Sequence, residues 1–209
     1  MNAISWQLLA IVCILLIRME RQPTLPPHAD APLVLQLKNG DMNAAGVLYS
    51  RYRTPVYGFC FRMLREEAPA LDAAQETFLK MIANIGGLQS GVMFRAWLFT
   101  IARNEVLMML RKRKTAAEDP LDDAATVADP GTPLRSAEGS ESSVLIVAAL
   151  DRLRPIYREA FLLREQEGLS YEEITVVTAA SLSAVKSRIF KARMALASIL
   201  SSHFDTGAL

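Results

Sequence analysis

Apolar residues near the end of the chain recur with the spacing of an α-helix. At about 100° per residue, five of them fall within one narrow stripe: Leu182, Val185, Ile189, Ala192 and Leu196. The stripe predicts an amphipathic helix from Leu182 to about Leu200 that packs this side against a core. The opposite side carries a different set of residues: Ser187, Phe190, Lys191 and Met194.

The segment before this helix contains residues that are typical of helix ends. Pro155 suits the first position of a helix, and Gly168 suits the position just past a helix C-terminus. Ser170 and Glu173 have the spacing of a capping box, and Ser181 suits the N-cap of the last helix. The capping box predicts a short helix over about Tyr171–Thr178. Ala179 and Ala180 then form a tight turn. Two helices joined by a short turn, the second longer and basic, have the layout of a helix-turn-helix.

The first part of the chain predicts four more helices, and no segment has a convincing strand pattern. Asp41 is the predicted N-cap of a first helix that runs to about Thr54, and Pro55 begins a second helix that ends at residues 66–69. The third and fourth helices span about 71–84 and 92–114. Glycines at 86, 87 and 91 indicate a flexible loop between the last two. On the last helix one face is apolar: Phe94, Leu98, Ile101, Met108 and Met109. Its outer face is basic and polar: Arg103, Asn104, Arg111 and Lys114. The predicted fold class is therefore all-α.

Charge and composition divide the chain into two small helical domains, 33–115 and 144–203, joined by an acidic linker at 116–143. The 209 residues carry a net charge of only +1, but residues 33–115 carry +6 and residues 116–143 carry −6. The basic domain favours a polyanionic partner. The linker is rich in Pro, Gly, Ser and Asp, which predicts a disordered, solvated tether. Alternatively, its carboxylates mimic nucleic acid and compete for the basic domain.

Residues 1–32 form an apolar and Pro-rich extension. The apolar run Leu8–Ile17 is shorter than the roughly 20 residues of a membrane span, and its first basic residue, Arg18, follows the run. Three interpretations remain: a dispensable extension with translation starting at Met19, a helix packed on the domain or a partner, or a short membrane anchor through residues 4–17. We expect a cytoplasmic protein.

The composition argues against an enzyme. Cys13 and Cys60 are the only cysteines, and His28 and His203 the only histidines. The sequence also has no metal-ligand cluster, no nucleophile–base set and no Gly-rich phosphate loop. We expect no catalytic residues, no cofactor and no small-molecule substrate.

The last predicted helix has the chemistry of a DNA-reading helix. Its diameter of about 10–12 Å fits a major groove about 12 Å wide. The candidate contacts are Lys186, Ser187, Arg188, Phe190, Lys191 and Arg193. A solvated amphipathic helix is the alternative, but a solvent-facing phenylalanine in a charged row is poorly explained unless a partner covers it.

Several segments resemble bacterial RNA polymerase sigma factors, most closely the small extracytoplasmic-function subfamily. Leu-Arg-Pro at 153–155, Glu-Gly-Leu-Ser-Tyr-Glu-Glu-Ile at 167–174 and Val-Lys-Ser-Arg-Ile-Phe-Lys-Ala-Arg at 185–193 resemble region 4. Asp-Ala-Ala-Gln-Glu-Thr-Phe at 72–78 resembles the region 2 helix that grips the polymerase clamp. Trp-Leu-Phe-Thr-Ile-Ala-Arg-Asn at 97–104 resembles the region 2 segment that handles the melted promoter.

The resemblance implies a division of labour between the two domains. Region 4 would read the minus-thirty-five duplex, and region 2 would bind core polymerase and the minus-ten element. The implied polymerase contacts are Asp72, Gln75, Glu76 and Phe78, with core packing as the alternative for Phe78. The implied minus-ten contacts are Trp97, Arg103, Asn104, Arg111, Lys112, Arg113 and Lys114, with core packing as the alternative for Trp97. The 84–93 loop matches the position that captures a flipped base, although it has no stacking aromatic.

Two residues depart from the family pattern. Ala179 stands where the turn of the helix-turn-helix usually has glycine, and Leu71 stands where an acidic residue usually precedes Asp72. The family implies a promoter-specificity subunit with core RNA polymerase and promoter DNA as partners, and an anti-sigma factor that the sequence does not show. The competing hypothesis is a stand-alone helix-turn-helix regulator that never binds polymerase.

Overall fold

The computed structural model describes residues 29–118 and 141–206, and every regular element within them is helical. The first block contains α1 (Ala31–Lys38), α2 (Met42–Leu64), α3 (Glu67–Asn84) and α4 (Phe94–Glu118). The second block contains α5 (Glu141–Asp151), α6 (Pro155–Phe161), α7 (Tyr171–Thr178) and α8 (Leu182–Thr206). The all-α prediction is confirmed. Residues 1–28 and 119–140, which hold most of the predicted extension and linker, lie outside the described residues.

Aromatic packing between α2 and α4 forms the core of the first block. Phe59 and Phe99 meet edge to face with ring centroids 5.7 Å apart, and Tyr52 meets Phe94 in the same way at 5.6 Å. Leu98 of α4 is completely buried beside them. This packing fixes the rotation of α4, on which most of the predicted minus-ten residues lie.

The predicted break at Pro55 is wrong, because α2 is one helix of 23 residues with Pro55 inside it. A proline within a helix removes one backbone hydrogen bond and costs about 3 kcal/mol. Burial of Tyr52 and Val56 on either side of Pro55 offsets this cost through tertiary contacts that local sequence signals do not report. The predicted N-cap is confirmed, since the Asp41 carboxylate accepts a hydrogen bond from the amide of Asn43 at 2.9 Å.

Helix α1 was not predicted, because the sequence division placed its first residues in the N-terminal extension. Asp30, just before it, is buried and accepts hydrogen bonds from the Tyr52 hydroxyl and the Arg51 guanidinium. The 84–93 loop packs against this same segment. At Gly91, an added Cβ would lie 2.7 Å from Cα of Ala31, so only glycine fits there. Two 3₁₀ turns, Ile85–Gly87 and Gly91–Met93, make up most of this loop.

The second block is a helix-turn-helix in which the predicted end signals are all observed. Ser170 and Glu173 form both hydrogen bonds of the capping box, at 3.0 and 2.7 Å. Gly168 takes a positive φ of 66° after a π-helical turn over Leu162–Gln166. Ala179 ends α7 in the left-handed conformation, with φ 50° and ψ 37°.

The predicted stripe of α8 is buried at Val185, Ile189, Ala192 and Leu196, but Leu182 is 39% exposed. Side chains on a helix point back toward its N-terminus. Leu182 is the first residue of α8, so its side chain projects beyond the turn that would cover it. Met108 of α4, predicted on the apolar face, is also exposed, because it lies on the same side of the helix as the exposed Asn104 and Arg111, while Met109 packs against the core.

The left-handed Ala179 leads to a stability prediction. A non-glycine residue in this conformation costs about 1 kcal/mol, so Ala179→Gly is expected to raise the free energy of unfolding of the full chain by about that amount. Urea titration followed by far-ultraviolet circular dichroism measures the change. Ala180→Gly is the matched control, because Ala180 has a negative φ and gains nothing from glycine. Equal effects at the two positions would contradict the assignment of strain to Ala179.

Candidate nucleic-acid interface

The outer face of α8 is exposed as predicted. Phe190 is 63% exposed, more than any other large apolar side chain among the described residues, and Met194 lies one turn further on. Lys186, Ser187 and Lys191 are exposed around it. The face therefore combines cations, a hydroxyl and an apolar ring within two turns of one helix.

Tyr171, the first residue of α7, supports this face, and sequence reasoning did not identify it. The Lys186 ammonium lies 5.8 Å from the centroid of the Tyr171 ring, and the Arg164 guanidinium lies 4.7 Å from it. Both distances are within the range of a cation–π interaction. Tyr171 therefore helps to fix the position of the Lys186 ammonium group relative to α7.

Two predicted members of the interface are not on the open face. Arg193 pairs with Glu165, with Nε 3.1 Å from Oε1, because the second block folds the Leu162–Gln166 turn against this edge of α8. Arg188 is half-buried on the other edge. In this conformation the Arg193 guanidinium is therefore engaged by an acidic partner, and its contact with DNA stays a prediction.

The predicted minus-ten residues of α4 divide into three groups. Asn104, Arg111, Lys112 and Lys114 are exposed. Arg113 turns back to Glu66 at 2.8 Å and to the Leu64 carbonyl at 2.9 Å. Arg103 does not lie on an open outer face as predicted, because its Nε lies 2.6 Å from Oε1 of Glu159 in the second block.

Trp97 and Asn104 line one shallow groove of about 360 Å³ between α3 and α4. Lys80, Asn84, Ile101 and Glu105 complete its lining. Lys80 donates to Oε1 of Glu105 at 2.6 Å, while Oε2 of Glu105 is buried and has no hydrogen-bond partner within the described part of the chain. Lys80 and Asn84 were not predicted as site residues. Their i, i+4 spacing places them on one face of α3 and could have indicated that they share a site.

Trp97 is half-buried, with its ring 6.1 Å from that of Phe94. It therefore packs on the core and also forms a wall of the groove. The 84–93 loop holds no aromatic residue, and Phe94, which directly follows it, is completely buried. Trp97 is therefore the first partly exposed aromatic residue after the loop.

The exposed face of α3 carries Asp72, Gln75 and Glu76 as predicted. Phe78 is only 7% exposed and packs edge to face on Tyr49, with centroids 4.8 Å apart. Of the two interpretations of Phe78, core packing is therefore the one that the structure shows. Phe78 belongs to the buried stripe of α3, which a helical wheel of this segment would have shown: Ala70, Ala73, Ala74, Thr77, Phe78 and Met81. The exposed apolar residues of α3 are instead Leu71, Leu79 and Ile82.

A buried carboxyl group, Glu167, lies where the two blocks meet. Burial raises its pKa to about 8, while the positive charges of Arg62 and Arg95 in the first block act in the opposite direction. Its Oε1 atom has no hydrogen-bond partner among the described residues. The site therefore favours the neutral acid over the carboxylate.

Comparison with known families and proteins identifies both blocks. The model of Sigma-70 region 2 matches residues 48–116, and the model of Sigma-70, region 4 matches residues 143–196. The chain is 30% identical to the RNA polymerase sigma-H factor of Pseudomonas aeruginosa, over 82% of this chain and 94% of that protein. It is 34% identical to the ECF RNA polymerase sigma-E factor of Haemophilus influenzae, over 78% and 91%. This chain belongs to the extracytoplasmic-function sigma factors.

A solved structure of the sigma factor RpoE from Bartonella quintana, in complex with the anti-sigma factor NepR, has the same fold. It matches this sigma factor with a TM-score of 0.66 and 27% identity, covering 75% of this chain and 96% of that chain. The region 2 match covers part of α2 with α3 and most of α4, and the region 4 match covers most of α5, all of α6 and α7, and part of α8. For brevity we call α1–α4 region 2 and α5–α8 region 4. The recognition stated from sequence is thus confirmed, and the protein is a transcription initiation factor. No helix in the described residues is long and apolar enough to cross a membrane.

Glu167 leads to a prediction of pH dependence. Its pKa in the fold is raised above the unfolded value, so its contribution to stability is fully present below about pH 4.5 and is lost as the pH rises through about 8. Glu167→Gln stays neutral, so the free energy of unfolding of this variant relative to wild type is expected to increase between about pH 5 and about pH 8. Urea titrations across this range measure the difference. Glu172→Gln, at an exposed carboxylate, is the control, and a difference for Glu167→Gln that does not change with pH would refute the assignment.

Proposed function

We propose that this sigma factor binds core RNA polymerase and directs it to promoters, with α8 in the major groove of the minus-thirty-five element. The observation that carries the proposal is the exposed Phe190 among Lys186, Ser187 and Lys191 on the second helix of a helix-turn-helix. Lysine and arginine donate to guanine O6 and N7, and an aromatic ring packs on the thymine methyl group. Arg188, at the edge of this face, contributes a phosphate or base contact.

We assign the minus-ten contacts of region 2 to the groove and the basic end of α4. A base extruded from the duplex costs a few kcal/mol, which stacking and hydrogen bonds must offset. Trp97 offers the stacking surface, and Asn84 and Asn104 offer amide donors and acceptors. The cations at the end of α4 hold the backbone phosphates: Arg111, Lys112 and Lys114.

The exposed face of α3 is proposed as the contact with core polymerase. Asp72 and Glu76 would be repelled by DNA phosphates, so a protein surface is the better partner. Leu71 and Leu79 lie exposed beside them and supply the apolar area that Phe78 does not. Leu71 thus has a role in this contact although it replaces an acidic residue.

Three further expectations follow from this assignment. The protein itself catalyses nothing, since polymerase performs the chemistry, and it acts in the cytoplasm where polymerase is found. The structural relative RpoE was solved with an anti-sigma factor, and we propose a partner of the same class here. A stand-alone regulator is the second candidate, and it differs by having no affinity for polymerase.

The DNA contacts of α8 are tested by Lys191→Ala and Arg188→Ala in the full chain. Each is expected to weaken binding to a minus-thirty-five duplex several-fold and to reduce the slope of log affinity against log salt by about one. Fluorescence anisotropy at several salt concentrations measures both quantities. Arg152→Ala removes the same charge from an exposed position of region 4 outside α8 and should change neither. Unchanged affinity and slope for both α8 variants would count against groove binding.

The polymerase contact is tested by combining Asp72→Ala with Glu76→Ala. The double variant is expected to bind core polymerase several-fold more weakly, because it loses two charges from the exposed face of α3, while keeping its affinity for the minus-thirty-five duplex. The control is Glu172→Ala, which removes an exposed carboxylate from α7, outside α3. Pull-down with purified core polymerase measures the effect, and no polymerase binding by wild type would leave only the stand-alone regulator.

A further inference from the structure

A single aromatic ring in region 4 holds two cations that come from different elements. The Arg164 guanidinium, from the Leu162–Gln166 turn, lies 4.7 Å from the centroid of the Tyr171 ring, and the Lys186 ammonium, from α8, lies 5.8 Å from it. Nη1 of Arg164 also donates to the Leu169 carbonyl at 2.7 Å. Tyr171 itself is half-buried and packs against the hydrophobic core, so its ring is a fixed platform for both cations.

Two carboxylates that lie close to this ring in sequence are engaged elsewhere. Glu165, which directly follows Arg164, pairs with Arg193 instead. Glu173 lies 3.4 Å from Arg95 of region 2. No carboxylate in the described part of the chain forms an ion pair with either cation on the ring. Both cations therefore keep their full charge for a partner outside the protein.

An aromatic ring and a carboxylate both hold a cation, but with different consequences. A carboxylate neutralises the positive charge and occupies its N–H donors, so that an incoming anion has to compete with it. The quadrupole of an aromatic ring attracts the cation without cancelling its charge and leaves most of its donors free. Apart from the bond to Leu169, no guanidinium nitrogen of Arg164 is both buried and unpaired, so these donors remain accessible. Two positive charges brought to one ring repel each other, and an anion bound beside both would relieve this repulsion.

The ring lies where a strand of DNA would run beside α8. In helix-turn-helix proteins the second helix enters the major groove, while the first helix crosses the phosphate backbone. Tyr171 is the first residue of α7, which is the first of these two helices, and Lys186 is exposed on α8. We propose that Tyr171 is a positioning residue for minus-thirty-five binding, whose ring holds Arg164 and Lys186 as a pair that binds backbone phosphates. This inference rests on the proposed function, since it takes α8 as the helix in the groove.

The proposal adds Arg164, a residue outside α8, to the DNA-binding surface. Phosphate contacts fix the register and orientation of a protein on the duplex, although they carry no sequence information themselves. By holding two such contacts at one edge of α8, Tyr171 determines how the helix sits in the groove. Phe190 and Lys191, which are exposed on the same helix, then reach the base edges.

The role of the ring is tested in the full chain by Tyr171→Phe and by phenylalanines that carry one, two or three ring fluorines at the same position. Fluorine withdraws electron density from the face of the ring and weakens its attraction for cations, while the ring keeps its shape. Tyr171→Phe is expected to bind a minus-thirty-five duplex as wild type does. The affinity is expected to fall with each added fluorine and to be several-fold weaker for the trifluorinated ring. Fluorescence anisotropy measures these affinities.

The two cations are tested by Arg164→Gln and Lys186→Gln. Each should weaken binding several-fold and reduce the slope of log affinity against log salt by about one, with the same loss for a duplex of unrelated sequence. Tyr171→Leu should weaken binding several-fold in the wild-type chain but have no further effect in a chain that carries both glutamine substitutions. This non-additivity separates a positioning role from a structural one, because damage to the fold would add to the loss of the cations.

Tyr157→Leu is the matched control, because Tyr157 is also half-buried and has a cation, Arg154, 5.5 Å from its ring centroid. It lies on α6, outside the helix-turn-helix, and its loss should change neither affinity nor slope. Far-ultraviolet circular dichroism checks that both leucine variants are folded.

A flat fluorine series, or a full effect of Tyr171→Leu in the chain without the two cations, would overturn the positioning role. An unchanged slope for Arg164→Gln would overturn its phosphate contact. A flat series together with weakened binding by Lys191→Ala rejects this inference alone, whereas no duplex binding by wild type rejects the proposed function.

Discussion

Burial of Leu98, Phe99 and Ala102 in the core of region 2 fixes the direction of every other side chain on α4. Because successive helical residues are about 100° apart, a helix held on one side has its remaining faces assigned by position alone. Arg95 and Arg103 are thereby directed toward region 4, and Asn104 toward the groove beside α3. One helix thus serves the core, the second domain and the nucleic-acid surface, and a change in its rotation would alter all three at once.

Local sequence signals were sufficient to predict most of the secondary structure of region 4. The bounds of α7, the capping box at Ser170 and the turn at Ala179 depend on residues a few positions apart, so the sequence determines them before any tertiary contact forms. The outward position of Phe190 likewise followed from helical periodicity. The overall all-α, two-block organisation was predictable for the same reason.

The incorrect expectations for Pro55, Arg103 and Arg193 involve contacts between residues far apart in the chain. Pro55 has a strong local preference to start a helix, and only packing against α4 shows why α2 continues through it. Arg103 and Arg193 have no local partner, so a helical wheel places them in solvent, whereas carboxylates 56 and 28 residues away hold them. Phe78 is different, because the helical spacing of the other apolar residues on α3 already indicates that it faces the core.

The hydrogen bonds to Asp30 have a practical consequence for anyone shortening the gene for laboratory expression. A chain that began after Pro32 would leave the hydroxyl of Tyr52 inside the protein without its acceptor, and would also remove the residue against which Gly91 closes. An unsatisfied buried hydroxyl costs about 1–3 kcal/mol, a large fraction of the stability of a domain this size. A trimmed version should therefore begin upstream of Asp30, well before the point at which the homology to region 2 starts.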